Sequence, residues 1–253
     1  MIGAMAKVEW QIDGAVRRVF LNRPEKRNAL DREMLDGIAA AFAEPAGSNE
    51  RAAVIRAAGP VFCAGLDLRA REGMGAAPIE RVLHTVETYP LPVVAVVQGD
   101  AIAGGNELAL HCDLVVASSA ARFGMSLAQI GLVPCWFLVK MLLDAAGPVI
   151  TRQILLLGEP LPARRLYELG VIAYLAEPDA LDAAADAVLA RLSANAPLSM
   201  RAMKQLILRE MQFRDGIPHD DIDRLLAEVR QSADAKEGVA ARLERRTARF
   251  QGR

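Results

Sequence analysis

The alternation of apolar and polar residues divides the chain into two parts of different character. Up to about residue 195, short apolar runs that are typical of strands alternate with helical periodicity and with turns rich in glycine or proline. Beyond Asn195-Ala196-Pro197 only helical periodicity remains, in stretches at 199–214, 220–232 and 236–250. Because a segment without strands cannot extend a sheet, we expect residues 196–253 to pack as a helical layer on the core formed by 1–195 or on another subunit.

The first part opens with a predicted β-hairpin and continues as repeated strand–turn–helix units. Residues 7–12 and 15–21 alternate in the manner of paired strands, with Asp13-Gly14 as the turn. Asp31 is a good N-cap for a helix that runs to about Phe42. Further strands are predicted at 53–56, 93–97, 114–117 and 171–175, and further helices at 79–89, 139–143, 150–157, 163–169 and 181–192. Successive units of this kind predict a coiled stack of turns.

The central stretch, from Val93 to Asp113, joins a buried strand to an apolar helix through two glycines. Gly104 and Gly105 stand where that helix begins, and without a Cβ they let the backbone approach a ligand closely. Free N–H groups at a helix start suit a developing anion. Glu107 follows in the first turn among apolar neighbours, so a carboxyl group is predicted beside an anion site. The alternative interpretation is a glycine-rich turn in which a glutamate interacts favourably with the helix dipole.

A second turn of small residues, from Phe62 to Leu68, follows the strand predicted at 53–56. This turn could aim the backbone N–H of Leu66 at the same anion. We expect Asp67 to accept hydrogen bonds from N–H groups of the turn itself rather than to bind substrate. The segment 69–78 combines charge and glycine without a clear period, so we expect it to be a mobile loop.

Three blocks of sequence, at 21–30, 61–68 and 93–113, together resemble the crotonase superfamily, also called the enoyl-CoA hydratase/isomerase family. The blocks match the family in their residues, their order along the chain and their spacing, and the resemblance continues through the C-terminal part. It implies an α/β fold in which a crotonase-like spiral of ββα turns, residues 1–195, is followed by a helical C-terminal trimerisation region, residues 196–253. It also implies an acyl-CoA thioester as substrate, and a homotrimer or a hexamer made of two trimers.

The resemblance assigns the chemistry to three residues. By family position, the backbone N–H groups of Leu66 and Gly104 form an oxyanion hole, which stabilises the negative charge that a thioester oxygen gains when an enolate forms. Glu107 matches the first of the two glutamates with which enoyl-CoA hydratases hold a water molecule. The implied activity is that of an acyl-CoA lyase or isomerase.

The resemblance also implies how coenzyme A is bound. The loop that begins at Arg23 would run along the nucleotide end, largely through its backbone. Arg245, Arg246 and Phe250 would belong to the last helix and reach a neighbour's nucleotide site, although a solvated basic helix end is an equal alternative for the two arginines. The residues implied to contact substrate or coenzyme A are Arg23, Lys26, Arg27, Ala29, Ala64, Leu68, Leu127, Trp136 and Phe250.

The position of the second acid departs from the two-glutamate pattern. In that pattern a Pro-Glu pair precedes a Gly-x-x-Pro motif, and counting back from Gly131 places the pair at Ser126-Leu127. The glycine-rich run expected after the proline is replaced by Cys135-Trp136-Phe137. Because Leu127 is not an acid, we expect Glu107 to be the only carboxyl group near the reacting carbons and the hydration of crotonyl-CoA to be slow.

Other functions remain open. The stretch 123–134 is similar to the methylmalonyl-CoA decarboxylase branch, although that branch has a histidine where Leu66 stands and a tyrosine where Cys135 stands. Glu107 could also carry a proton shuttle alone. His111 lies four residues later on the same helix face and could orient or replace a second acid, or be a structural histidine. A non-catalytic protein that binds acyl-CoA is a further class.

Composition excludes several kinds of partner. A formal net charge of −1 does not favour electrostatic binding to nucleic acid or to an anionic membrane surface. No apolar run is long enough to span a bilayer. The first ten residues lack the apolar core of a signal peptide. The three cysteines lack the spacing of metal ligands, so we expect reduced thiols. The three histidines do not cluster, so we expect no metal site. We therefore expect a cytoplasmic enzyme with no cofactor beyond the coenzyme A of its substrate.

Overall fold

The computed structural model describes residues 6–70, 77–211 and 216–253, in which the strands of two sheets alternate with helices. The strands, β1 to β9 in chain order, are Val8–Asp13, Val16–Leu21, Ala52–Ala57, Val93–Val97, Ala101–Ile102, Leu114–Ser118, Arg122–Gly124, Leu161–Pro162 and Tyr174–Ala176. The helices, α1 to α9, are Arg32–Ala43, Ala77–Glu87, Gly104–Leu110, Trp136–Arg152, Ala163–Glu168, Leu181–Ala194, Pro197–Met211, Asp220–Gln231 and Ala233–Glu244.

The chain passes back and forth between the two sheets. The larger sheet has the order β1-β2-β3-β4-β6-β9, with an antiparallel β1–β2 hairpin and parallel pairings beyond it. The smaller sheet has the order β5-β7-β8. Strand β4 is followed by β5 and α3, and β6 is then followed by β7, so one strand from each sheet and a helix form a repeating unit. This arrangement is a spiral of ββα turns, and it confirms the predicted α/β fold class.

The central parallel strands are buried because helices cover both faces of the larger sheet. Every residue of β4 is buried, as expected for a parallel strand in the middle of a sheet. Ile55 and Ala95 face the core that α1 and α2 cover, whereas Val54 and Val94 face α6. Two layers of helices thus fix the carboxyl ends of β3 and β4, from which the chain enters the candidate site.

The C-terminal helices lie partly on the core of the same chain. Gly238 of α9 packs so closely on the turn at 128–130 that an added Cβ would lie 2.3 Å from the carbonyl group of Ile130. Lys204 of α7 is buried and donates to Asp113 at 2.6 Å and to the carbonyl of Leu91 at 3.1 Å. Residues of the C-terminal helices thus pack on the core of their own chain, which is one of the two arrangements expected for 196–253.

The last helix is shorter than predicted. It ends at Glu244, because Arg245 adopts a left-handed conformation with a φ of 58° and caps the helix. The chain then turns back on the start of α9, where Asp234 accepts hydrogen bonds from the N–H groups of Gln251 and Gly252 at 2.6 and 2.7 Å. The prediction that Arg245, Arg246 and Phe250 belong to the last helix is therefore wrong.

Smaller differences have local causes. The strand predicted at 171–175 begins only at Tyr174, because the N–H groups of Val171 and Ile172 bond to the carbonyl of Leu166 at the end of α5. The helices predicted at 139–143 and 150–157 are joined in α4, which kinks at Gly147 and continues in a π-helical turn, Gln153–Leu157. Most of the loop predicted at 69–78 lies outside the described residues.

No described helix is both long enough and apolar enough to cross a lipid bilayer.

A buried ion pair ties the hairpin to the end of α1. Arg17 is 1% exposed and donates to both carboxyl oxygens of Glu50 at 3.0 Å, and also to the carbonyls of Ala41 and Glu44. Burial alone would raise the pKa of Glu50, but the hydrogen bonds from Arg17 and from the N–H of Gly47 hold that pKa below its ordinary value. Glu50 therefore stabilises the fold above its ordinary pKa, and this stabilisation is lost as the pH falls through the lowered value.

Replacing Glu50 by glutamine should lower the free energy of unfolding by about 3–5 kcal/mol, because it leaves the charge of Arg17 buried without its partner. The matched control is Asp36→Asn, which breaks the exposed pair between Arg32 and Asp36 and should cost about 0–1 kcal/mol. Urea unfolding at neutral pH measures both values. Equal losses in the two variants would contradict a structural role for the buried pair.

Candidate active site

Two backbone segments meet at the carboxyl ends of β3 and β4. The turn after β3 runs beside β5, where the N–H of Ile102 donates to the carbonyl of Cys63 at 2.9 Å. On its other side the same turn is bonded to the loop before α1. There the N–H of Leu30 donates to the carbonyl of Gly65 at 2.8 Å, and the N–H of Asp67 donates to the carbonyl of Leu30 at 2.9 Å. The turn is thus held between two neighbours by its own backbone.

Glycines allow this turn to lie directly against the start of α3. An added Cβ at Gly105 would lie 2.1 Å from the carbonyl oxygen of Cys63, a distance that no side chain tolerates. An added Cβ at Gly65 would lie 3.0 Å from the backbone nitrogen of Gly104, and Gly65 has a φ of +86°. The sequence Gly104-Gly105 therefore serves the close approach of two backbone segments, as well as any approach of a ligand.

This contact brings together the two predicted oxyanion donors. Within the part of the chain that the structure describes, neither the N–H of Leu66 nor that of Gly104 donates a hydrogen bond. The N–H of Leu66 lies between two groups that both pair with Leu30, so it is directed away from that neighbour. The N–H of Gly104 is one of the unpaired donors that every helix start provides. Both donors are thus available to an acceptor from outside the chain.

Ala103 stands in a backbone conformation that sequence reasoning did not anticipate. Its φ of 49° and ψ of −119° are usual for glycine and cost an L residue about 1–3 kcal/mol. Its N–H donates to the carbonyl of Gly124 at 2.8 Å, which anchors it to β7. This strained residue makes the sharp turn from β5 into α3, and it therefore sets the direction of the N–H of Gly104.

The donors open into a cavity of about 300 Å³. Six of the predicted site residues line it: Ala64, Leu66, Leu68, Gly104, Glu107 and Leu127. Apolar residues that the prediction did not include complete much of the wall: Ile79, Ile102, Ile130, Leu132, Val133 and Pro134. Four charged side chains reach this largely apolar space: Glu80, Glu107, Arg230 and Arg242.

Glu107 is the most deeply buried of these charged residues. It lies in the first turn of α3, and its carboxyl group accepts no hydrogen bond from the described residues. Burial raises its pKa to about 8, with a further contribution from the negative charge of Glu80. Sequence alone left open whether burial or the helix start would prevail, and burial does. The carboxyl group is therefore mostly protonated at neutral pH.

Glu80 is a functional candidate that sequence reasoning missed. It lies in the first turn of α2, half-buried, and lines the same cavity as Glu107. Cys135 lines the cavity beside Glu80, and the pKa of that thiol is raised to about 12 mainly by burial. The expectation that Glu107 would be the only carboxyl group at this site is therefore wrong. The position of Glu80 just after the glycine-containing segment 69–78, in the first turn of a predicted helix, gave no signal that distinguishes it from an ordinary glutamate.

His111 has a structural role. It caps the end of α3, where its ring nitrogen Nδ1 lies 2.8 Å from the carbonyl oxygen of Glu107, and its ring packs on Phe137 with centroids 4.8 Å apart. Burial lowers its pKa to about 4, so the ring is neutral. His111 does not line the cavity. Of the two interpretations of this residue, the geometry favours the structural histidine over a second acid.

The predicted coenzyme A loop adjoins the site without lining the cavity. Arg23 is held by ion pairs with Asp67 at 2.9 Å and Asp31 at 3.4 Å, and it donates to the carbonyl of Ala29. Lys26 and Arg27 are exposed, and the N–H of Ala64 donates to the carbonyl of Arg27 at 3.0 Å. The loop thus runs along the turn that carries Leu66.

Three further expectations have different outcomes. Asp67 accepts from the N–H of Arg69 at 3.1 Å as well as from Arg23, which confirms local hydrogen bonding. Trp136 does not line the cavity, because its ring stacks on His219 with centroids 4.6 Å apart. Phe250 lies in the irregular C-terminal tail and does not line the cavity either. Among the described residues, no group of three or more His, Cys, Asp or Glu is placed to hold a metal ion.

Replacing Gly105 by alanine should disable the site, because the new methyl group meets the backbone of Cys63 and separates the two donors. The loss of one such donor typically lowers kcat by about 10²–10³-fold, and overpacking of this kind typically costs about 1–3 kcal/mol of stability. Gly216→Ala is the control, since no atom of the described residues lies within 4 Å of its added Cβ. Acyl-CoA turnover and thermal melting measure the two effects. An unchanged Gly105→Ala protein would show that the close contact is not required.

Known proteins are similar to this chain in both sequence and fold. The family described as enoyl-CoA hydratase/isomerase matches residues 11–253. A putative enoyl-CoA hydratase of Thermus thermophilus is 37% identical over 250 residues, which cover 94% of this chain and 98% of that protein. The structure of an enoyl-CoA hydratase from Mycobacterium avium subsp. paratuberculosis has a TM-score of 0.87 at 30% identity, covering 97% of this chain and 99% of that one.

A methylmalonyl-CoA decarboxylase in complex with 2-nitronate-propionyl-CoA has a TM-score of 0.91 and covers 99% of this chain and 100% of that one. At 23% identity this likeness shows the fold alone. The match of the family model over nearly the whole chain, together with the 37% identity to the Thermus protein, establishes the relationship. The chain belongs to the enoyl-CoA hydratase/isomerase family of the crotonase superfamily.

Proposed function

We propose that this protein is an acyl-CoA lyase that stabilises a thioester enolate between the N–H groups of Leu66 and Gly104 and uses Glu107 as its acid–base group. One observation carries the proposal: the two backbone donors and the Glu107 carboxyl group line one cavity. Hydration of an enoyl-CoA is the reaction that the site supports best. The Thermus relative is named as a putative enoyl-CoA hydratase and the Mycobacterium avium structure as an enoyl-CoA hydratase, and both names favour the same reaction.

The donors contribute to rate because the charge they meet develops during the reaction. When water adds to the β-carbon, electrons move through the α-carbon to the thioester oxygen, which becomes an enolate oxygen. Two fixed N–H groups at an apolar cavity stabilise this charge, at about 3 kcal/mol for each donor. Because both donors belong to the backbone, they need no reorganisation when the charge appears.

Glu107 completes the addition by supplying a proton. With a pKa of about 8 it is a carboxylic acid at neutral pH, so it can donate its proton to the α-carbon of the enolate. In the reverse direction its carboxylate removes that proton. A pKa near the working pH is the condition under which one group can serve in both directions.

The site lacks the polar side chains that the decarboxylase branch has. Leu66 and Cys135 stand where that branch has a histidine and a tyrosine, and the likeness in structure shows the fold alone. A non-catalytic binding protein is the other alternative. Both differ from the proposal in what they do to an enoyl-CoA, so one set of assays separates them.

Glu107→Gln should lower enoyl-CoA hydration by about 10²–10⁴-fold, because it removes the proton donor while keeping the shape of the side chain. Activity of the unmodified protein should fall as the pH rises through about 8, where Glu107 loses its proton. Steady-state rates with crotonyl-CoA across a pH series measure both effects, and calorimetry with a saturated acyl-CoA checks that binding is retained.

Two outcomes would contradict the proposal. If the unmodified protein and Glu107→Gln bind acyl-CoA equally well and neither converts it, the protein is a binding module. Decarboxylation of a malonyl-type CoA with little loss in Glu107→Gln would instead favour the decarboxylase.

We further propose that the protein assembles as a homotrimer or as two stacked trimers. Helix α7 exposes Leu198, Met203, Leu206 and Ile207 by 59–78% of their surface, and an apolar row of this kind on a soluble protein needs a partner surface. The family resemblance gives the trimer as that partner. Coenzyme A would then lie along the loop at 23–29, with basic residues of the C-terminal tail contributed near the subunit boundary.

Replacing both Leu206 and Ile207 by glutamate should dissociate the assembly, because each charge would be buried at the interface. Gln205→Glu adds a charge to an exposed neighbour on the same helix and should leave the assembly intact. Light scattering at micromolar concentration gives the mass of each variant. A monomeric unmodified protein would remove the trimer proposal.

A further inference from the structure

We propose that Glu80 is a second catalytic carboxylate, which activates water for attack on the acyl β-carbon while Glu107 supplies the proton to the α-carbon. This inference rests on the proposed hydration of an enoyl-CoA. It differs from the two-glutamate pattern of the family, because the second acid comes from α2 rather than from the position of Leu127.

The placement of Glu80 follows from the packing of α2. The apolar side of this helix is buried through Ile79, Val82, Leu83 and Val86. Ile79 fixes the start of the helix against the site, since its Cδ1 atom lies 2.8 Å from where a Cβ on Gly104 would be. Glu80 is the next residue, and its side chain lines the cavity beside that contact. A helix that is packed on the core therefore presents this carboxyl group to the cavity that Leu66, Gly104 and Glu107 line.

Cys135 is the neighbour of Glu80 in the cavity wall, which both residues line. Burial raises the pKa of Cys135 to about 12, so its sulfur is a neutral thiol beside the Glu80 carboxyl group. The run Cys135-Trp136-Phe137, which replaces a glycine-rich segment of the family pattern, thus places a thiol in the cavity wall beside Glu80.

The electrostatic interaction between Glu80 and Glu107 favours Glu107 as the acid and Glu80 as the base. The negative charge of Glu80 is felt at Glu107, which holds its proton more tightly as a result. Arg230 and Arg242 line the same cavity and form no ion pair with any residue that the structure describes, so they offset the charge of Glu80 and of an incoming substrate. Two carboxyl groups that interact in one cavity, of which Glu107 is buried and Glu80 is half-buried, form an arrangement that can assign one as acid and the other as base.

The proposed step balances with water as the sole co-reactant. Glu80 accepts a proton from water as the water oxygen bonds to the β-carbon, and the electrons of the double bond pass to the thioester oxygen as an enolate. The enolate then collapses as the α-carbon takes the proton of Glu107. Glu80 is left protonated and Glu107 ionised, and proton exchange with solvent restores the starting state.

The test separates the two carboxyl groups by using two reactions. Hydration of crotonyl-CoA requires both groups, whereas exchange of the α-protons of butyryl-CoA in heavy water requires only the enolate site and Glu107. The variants are Glu80→Gln, Glu80→Asp and Glu107→Gln. The matched control is Glu87→Gln, which changes a second glutamate two turns further along α2 that does not line the cavity.

Glu80→Gln should lower kcat for hydration by about 10²–10⁴-fold with little change in KM, and should keep α-proton exchange. It should also move the rise in exchange rate with pH, which reports the ionisation of Glu107, to lower pH, because the neighbouring negative charge is gone. Glu80→Asp should restore part of the hydration rate. Glu107→Gln should lose both reactions, and Glu87→Gln should keep both. Magnetic resonance follows exchange, and absorbance follows hydration.

Hydration by Glu80→Gln at the unmodified rate would overturn the role of Glu80 and leave the proposed function standing. Equal loss of exchange and hydration in Glu80→Gln would also overturn it, because Glu80 would then act on the enolate site as a whole. If the unmodified protein performed neither reaction, the proposed function itself would fail.

Discussion

The backbone around Gly104 and Gly105 lies against the turn after β3 only because neither residue has a Cβ. With 2.1 Å between the carbonyl oxygen of Cys63 and an added Cβ at Gly105, any larger residue must push the two segments apart. This contact sets the separation of the N–H groups of Leu66 and Gly104, and the direction of α3 behind them. Glu107 follows one helical turn later, so its position also depends on the contact.

The cost of this arrangement is met by the surrounding fold. Ala103 is strained, Glu107 is buried without a hydrogen bond from the described residues, and the two donors have no partner there. Each of these features destabilises the protein, and each is typical of a site that is held ready for a ligand. Stability comes from elsewhere, including the fully buried strand β4 and the ion pair between Arg17 and Glu50.

Local sequence predicted the parts of the site that depend on residue type and short spacing. Asp31 caps α1 through the N–H of Met34, and Glu107 lies in the first turn of α3, as expected from the residues themselves. Glu80 could not be found in this way, because a glutamate in the first turn of a helix is ordinary and its direction depends on how α2 packs. The left-handed conformation of Arg245 was equally hidden, since arginine rarely adopts it and helical periodicity continues past it.

Infrared spectroscopy of a bound acyl-CoA tests the central claim, that Leu66 and Gly104 polarise a thioester carbonyl. Crotonyl-CoA labelled with carbon-13 at that carbonyl would be bound to Glu107→Gln, in which slow turnover keeps the ligand intact. The isotope-edited difference spectrum then reports the carbonyl stretch alone. We expect the stretch to move to lower frequency than in water, because two fixed donors in an apolar cavity weaken the C=O bond more than solvent does. A stretch at the frequency of the free thioester in water would contradict the oxyanion hole.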